Sequence, residues 1–198
     1  MDNLMERKKE VIGLCLELFI KKGLAGTSTR DLSSAMRLQS GALYYYFESK
    51  DEAVIACAEE AVIRLENNLI VTALREANDP KKMLLSLKKR ANKMAPTMRF
   101  LAKVCSTPKY NTEMRSVLSR LNERYKHYAK KFAERLGCDI DEVEPYLYMC
   151  IASISNYMIF DEEFLIIPQM NFMQEHLNDI IRTNVSFAYL KEKQEGII

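Results

Sequence analysis

The stretch QSGALYYYFESKDE, Gln39 to Glu52, decides how this chain is read. It places three tyrosines and a phenylalanine side by side, Tyr44 to Phe47. Aromatic residues favour strands. The flanks argue otherwise. Ser49-Lys50-Asp51-Glu52 has the S-x-x-E form of a capping box that opens a long helical pattern. Upstream, Ser28-Thr29-Arg30-Asp31 marks another helix start. The aromatic run therefore falls on a short helix between two others. At about 100° per residue, Leu43 and Phe47 share a face, Tyr45 points nearly opposite to Leu43, and Tyr44 and Tyr46 lie on the flanks. The four rings and Leu43 cannot all be buried together. At least one tyrosine faces water or a partner.

Working outward, Val11, Cys15, Leu18 and Phe19 recur at helical spacing in a first helix from about Asn3 to Lys22. Gly23 stops it after Lys21 and Lys22, whose charges suit the helix dipole. A short helix from Thr29 to about Met36 follows, with Ser28 as N-cap. A turn at Arg37-Leu38-Gln39 leads into the third helix, Ser40 to Phe47, and the fourth runs from Ser49 to about Glu76. Asp79 can cap the next helix, with Pro80 at its first position. Pro96 splits the region up to Pro108 into two helices. A seventh helix, about Asn111 to Leu136, ends at Gly137. An eighth, from about Asp141 to Phe160, is apolar all round from Tyr146 on. A loop from Asp161 to Gln169 precedes the last helix, about Met170 to Leu190. The expected fold is all-α, with about nine helices and no convincing strand. Residues 1–48 read as a small helix-turn-helix domain and 49–198 as a larger helical domain.

Composition agrees: nearly half of the 198 residues are apolar, with only 6 Gly and 5 Pro. The net charge of +2 is too small to argue for nucleic acid by itself. Cys15, Cys57, Cys105, Cys138 and Cys150 are odd in number and widely spaced, so neither a disulfide framework nor a zinc spacing is visible. They read as reduced, mostly buried thiols of a cytoplasmic protein. Neither a signal peptide nor a membrane span is visible. No metal or cofactor is expected.

The strings VIGLCLELFIKKGLAGTSTRDLSSAM and GALYYYFESKDEAV resemble the TetR family of transcriptional repressors, which typically carries a K-G-T-L-Y-x-H-F-x-S-K-E-like segment at the second position. The resemblance covers about residues 10 to 55. One departure is Arg37, which stands where the family usually has glycine. A left-handed turn residue there costs a non-glycine something like 1 kcal/mol.

The resemblance implies a DNA-binding face. Leu43 and Phe47 anchor the third helix; Tyr44 and Tyr45 face DNA, donating to phosphate or covering a sugar or thymine methyl. Gln39 and Ser40 are base-reading candidates at the helix start, and Gly41 and Ala42 are small enough for close approach. Arg30 matches a position that contacts DNA, and Thr29 and Lys50 match phosphate-contacting positions. The implied partners are a palindromic double-stranded operator, a small-molecule effector of unknown identity, and a second copy joined through the last two long helices. Candidate effector liners are Met94, Met98, Phe100, Tyr110, Met114, Tyr125, Tyr128, Tyr146, Met149 and Asn156. Methionine adapts to irregular cavities and tyrosine joins an apolar wall to a polar tip. An apolar or amphipathic effector is expected.

An enzyme is disfavoured. His127 and His176 lack the E-x-x-H spacing of helical di-iron sites, and no H-E-x-x-H, G-x-S-x-G or phosphate loop occurs. The alternative is a helical interaction module that uses its N-terminal helices to bind a protein.

Overall fold

The structure is a computed structural model that describes the backbone of residues 2–36 and 43–194, and side chains at 6–36 and 43–184. Among the described residues every regular element is helical: α1 (Asp2–Lys22), α2 (Thr29–Ala35), α3 (Leu43–Tyr46), α4 (Lys50–Leu65), α5 (Val71–Arg75), α6 (Pro80–Cys105), α7 (Asn111–Leu136), α8 (Ile140–Phe160) and α9 (Ile167–Gln194). The expected start of the third helix and the Arg37 turn lie outside the described residues.

Sequence-coded stops and starts account for most boundaries. Gly23 and Gly137 take positive φ, 77° and 69°, just past α1 and α7, a conformation that costs glycine least. Ser28 and Asp31 form a full capping box. Asp79 accepts from Lys82 N at 3.0 Å, as the cap reading requires. The second box is only half formed. Ser49 accepts from Glu52 N, but the Glu52 carboxylate turns to the amide of Glu48.

Three expected boundaries are corrected. Pro96 does not break α6, which runs unbroken through it. Pro96 is exposed, so the Asn92 carbonyl that loses its amide partner faces the side where water is available. Buried Ala91, Ala95, Phe100 and Leu101 hold the helix on either side. The fourth helix is not continuous to Glu76. A π turn, Glu66–Ile70, separates α4 from α5, and at its end Thr72 Oγ1 donates back to Asn68 O at 2.8 Å. The last helix starts earlier, at Ile167, with Pro168 in its first turn, after a 3₁₀ turn at Glu163–Leu165.

The chain divides into two compact units. One comprises residues 1–66 and 96–121. Its core joins Val11, Cys15, Leu16 and Phe19 of α1 to Leu32, Met36, Leu43, Phe47 and the Val54–Ala58–Ala61 face of α4. Phe19 also stacks on Phe100, with ring centres 6.0 Å apart. Burying each such ring contributes about 1.5–3 kcal/mol. The other unit comprises residues 67–95 and 122–198. Met83, Leu84, Leu87, Phe132, Leu136, Ile154, Met158, Met173 and Leu177 form its interior. Polar ties close it: Tyr157 donates to Asn92 Oδ1 at 2.6 Å, Lys88 pairs with Glu163 at 2.7 Å, and Asn184 Nδ2 donates to Leu136 O, a free carbonyl at the end of α7. No helix among the described residues is long and apolar enough to cross a membrane.

Candidate nucleic-acid interface

The N-terminal helices bury one set of side chains and leave another in solvent. Leu43 and Phe47 are fully buried, as their i, i+4 spacing requires. Tyr44 and Tyr45 are then forced outward, 61% and 73% exposed, and Tyr46 is half-buried between them and the core. Large rings are seldom left this open on a folded surface without a use. α2 packs on both α1 and α3 and carries Arg30, exposed, and Thr29, half-buried. The Thr29 carbonyl accepts the Ser33 hydroxyl at 3.1 Å.

Lys50, expected at phosphate, is tied down: its Nζ donates to Leu24 O at 2.6 Å, joining the start of α4 to the α1–α2 turn. Gln39, Ser40, Gly41 and Ala42 lie outside the described residues. Sequence reasoning missed the Lys22–Asp31 ion pair, 2.6 Å, which fixes the end of α1 against α2. Lys22 and the Ser28 cap together hold the Asp31 carboxyl far below its ordinary range. The pair is nine residues apart in sequence, outside any helical spacing, so no periodic signal marks it.

The ten effector candidates are divided between the units. Met98, Phe100, Tyr110 and Met114 belong to the first, where Phe100 stacks on Phe19 and Tyr110 bonds to Asp51. The others belong to the second. There Met94, Tyr125, Tyr128 and Tyr146 are half-buried, while Met149 and Asn156 are exposed. Tyr125 donates to Glu144 O at 2.8 Å, and burial pushes its hydroxyl up to about 12. Tyr146 stacks on His176 with centres 3.6 Å apart. Among the described residues no group of three or more His, Cys, Asp or Glu could hold a metal ion.

A second surface stands out. Tyr148, Met149, Ile151 and Phe160 of α8, Phe164 of the 3₁₀ turn, and Ile167 and Phe172 of α9 are all exposed and apolar.

Comparison with known proteins bears on the N-terminal helices first. Residues 15–57 match the family model for bacterial regulatory proteins of the tetR family. Over 78 residues the chain is 32% identical to an HTH-type transcriptional regulator from the lacX 3′ region of Lactococcus lactis subsp. lactis, covering 39% of this chain and 40% of that protein. Over 48 residues it is 38% identical to the HTH-type transcriptional repressor KstR2 of Rhodococcus jostii (strain RHA1), 24% of each chain. The chain thus spans two fifths or less of the length of these curated relatives. The fold likeness is broader. A TetR transcriptional regulator of Chloroflexus aurantiacus superposes with a TM-score of 0.57 at 18% identity, over 92% of this chain and 97% of that one. The TetR family regulator PfmR of Thermus thermophilus gives 0.52 at 17% identity, over 87% and 97%. The signature lies in the same helices that expose Tyr44 and Tyr45: residues 15–57 carry the N-terminal segment of the tetR family of bacterial regulatory proteins, and the all-α fold shared with TetR family regulators extends past them.

Proposed function

We propose that this chain is a DNA-binding transcriptional regulator, a repressor released from its operator by a small apolar or amphipathic effector. Residues 1–48 read DNA, and 49–198 bind the effector and pair two copies. The observation that carries the DNA reading is the exposure of Tyr44, Tyr45 and Arg30 on helices whose sequence matches the family model. Hydroxyls and a guanidinium suit phosphate and base edges. Gln39, Ser40, Gly41 and Ala42 belong to the same proposed surface by their place in the sequence.

The exposed apolar residues of α8 and α9 support pairing through these two helices, since water-facing rings in that number are covered in a stable assembly. Two recognition helices then meet successive turns of a palindromic operator. The effector acts only by preferring the form that does not fit DNA. Met94, Tyr125, Tyr128 and Tyr146 are the liners we favour, all half-buried, the methionine apolar and the tyrosines carrying polar tips on apolar rings.

The test is titration of the protein against DNA from upstream of its own gene at two salt concentrations. Tight, sequence-preferring binding that weakens steeply with salt, at two subunits per site or a multiple, supports the reading. Weak binding, equal for all duplexes tried including those taken by selection from a random pool, rejects it.

A further inference from the structure

Arg90 of α6 is half-buried, and its Nη1 donates to Asn68 Oδ1 at 3.4 Å, longer than an ordinary N–H···O bond. Among the described residues no carboxylate lies within ion-pair distance of it. Other half-buried cations are held more closely. Arg64 pairs with Glu60 at 2.9 Å, Lys88 pairs with Glu163 at 2.7 Å, and Lys50 Nζ donates to the Leu24 carbonyl at 2.6 Å. A guanidinium presents its N–H donors in a planar fork, and one long bond to a neutral oxygen leaves most of that fork unused. Drawing a charge partly out of water has a cost that a neutral amide at this distance does not offset. A planar anion does offset it, because two parallel N–H···O bonds fit both partners.

The elements that carry this contact are apolar and partly open. Asn68 stands in the π turn Glu66–Ile70, a rare helical geometry that is frequent at functional sites. Leu69 and Ile70 follow it in the same turn, both half-buried. On α6, Met94 stands four residues beyond Arg90, on the same side of the helix, and is half-buried as well. Arg90, Asn68, Leu69, Ile70 and Met94 all belong to the second compact unit. A cation without a counter-charge, set among apolar side chains that are neither buried nor free, suits a molecule with an anionic head and an apolar body.

We propose that Arg90 binds the carboxylate of the effector, which makes that effector a monocarboxylic acid with an apolar body, bound as its anion. The proposal rests on the effector-response part of the reading above. The charge on the page favours a single carboxylate over a phosphate. One unpaired guanidinium balances one negative charge, and the half-buried Lys88, two residues back on α6, is already spent on Glu163. The bound anion takes the guanidinium from Asn68 Oδ1, so binding exchanges a bond between α6 and the π turn for one to the ligand.

The experiment is calorimetric titration of the full chain, without DNA and at neutral pH, with octanoate and 2-naphthoate, a linear and a ring body, each beside its neutral amide. Wild type binds at least one of these carboxylates, one per subunit and about tenfold or more tighter than the matching amide, the difference that hydrogen bonds to a charged group make. Arg90→Gln loses that difference: the carboxylate weakens about tenfold or more, while the amide stays within about twofold. Equal affinity of wild type for acid and amide overturns the proposal, and this comparison stands even if Arg90→Gln fails to fold. Carboxylate binding that Arg90→Gln leaves intact overturns it too, since the ligand then sits elsewhere, as on the exposed apolar residues of α8 and α9. So does a wild type that binds neither carboxylate. Selection of duplexes from a random pool keeps the two readings apart. A chain that selects a duplex and binds no carboxylate loses this proposal alone; one that binds carboxylate through Arg90 and selects no duplex keeps the site and loses the DNA reading.

Discussion

Tyr110 donates its hydroxyl to Asp51 Oδ1 at 2.7 Å, and Lys109 Nζ reaches the same oxygen at 2.6 Å. Asp51 is in the first turn of α4, and its partners lie in the 3₁₀ turn that leads into α7. One carboxylate thus ties the start of α4 to a segment far away in sequence, and its charge also suits the helix N-terminus.

Lys109 first, then Tyr110, holds the Asp51 carboxyl below its ordinary value, against the opposing effect of burial. A folded value below the unfolded one means the tie stabilises fully above about pH 3.9 and fades as pH falls through the folded value. Tyr110→Phe should therefore lose about 0.5–1 kcal/mol at neutral pH, a small figure because Asp51 is half exposed and solvent screens the bond. Asp51→Asn should be the less stable protein at pH 7, with the gap closing below about pH 4. Urea unfolding at both pH values checks this. Equal midpoints for Tyr110→Phe and wild type at pH 7 would show that the bond contributes nothing.

The outward tyrosines predict a separation of binding from stability. Tyr45→Ala, Tyr44→Phe and Arg30→Ala remove exposed groups, so melting temperatures should stay close to wild type. DNA affinity should fall about tenfold for Tyr45→Ala, as loss of one good contact implies, and less for the single hydroxyl of Tyr44→Phe. Titrations of a selected duplex beside thermal melts measure both. Wild-type affinity in all three would remove these residues from the DNA site.

The parts of the fold written in local sequence could be read directly. The i, i+4 spacing of Leu43 and Phe47 settles which rings are buried, and the Ser28–Asp31 box and the stops at Gly23 and Gly137 are short-range codes. What escaped depends on context. Pro96 reads as a break, but whether a helix tolerates proline depends on which side faces water. Pro168 reads as part of a loop yet sits in the first turn of α9. Lys22–Asp31 and Lys50–Leu24 join residues that only tertiary packing brings together, so periodicity carries no trace of them. Of the candidate DNA site, exposure was legible for Tyr44 and Tyr45, and the tethering of Lys50 was not.

Thiol chemistry offers a third check. Cys15 and Cys57 are wholly buried between α1 and α4, and Cys150 lies within α8. Burial pushes the Cys15 thiol up to about 11, Cys150 up to about 12 and Cys57 higher still. The thiolate is the reactive form, so these three should resist alkylation by iodoacetamide at about pH 8 in the native protein. Cys105 and Cys138 are half-buried and should label first, though slowly, since burial raises them too. All five should label in denaturant. Rapid native labelling of Cys57, read by peptide mass spectrometry, would contradict its burial.

Lys50 separates the resemblance from the geometry. The family resemblance puts this lysine at phosphate, whereas its Nζ is spent on Leu24 O at 2.6 Å. A lysine at phosphate contributes about one unit to the salt slope of DNA binding. A lysine bonded to a backbone carbonyl contributes to stability, on the order of 1 kcal/mol for a half-buried charged donor. Lys50→Ala should therefore lower the urea midpoint and weaken DNA binding with the slope intact, because the α1–α2 turn loses its tie to α4. The opposite pattern, full stability with a slope smaller by about one, would mean that Lys50 leaves Leu24 for the DNA backbone, and the tether would then be a resting contact of the free protein.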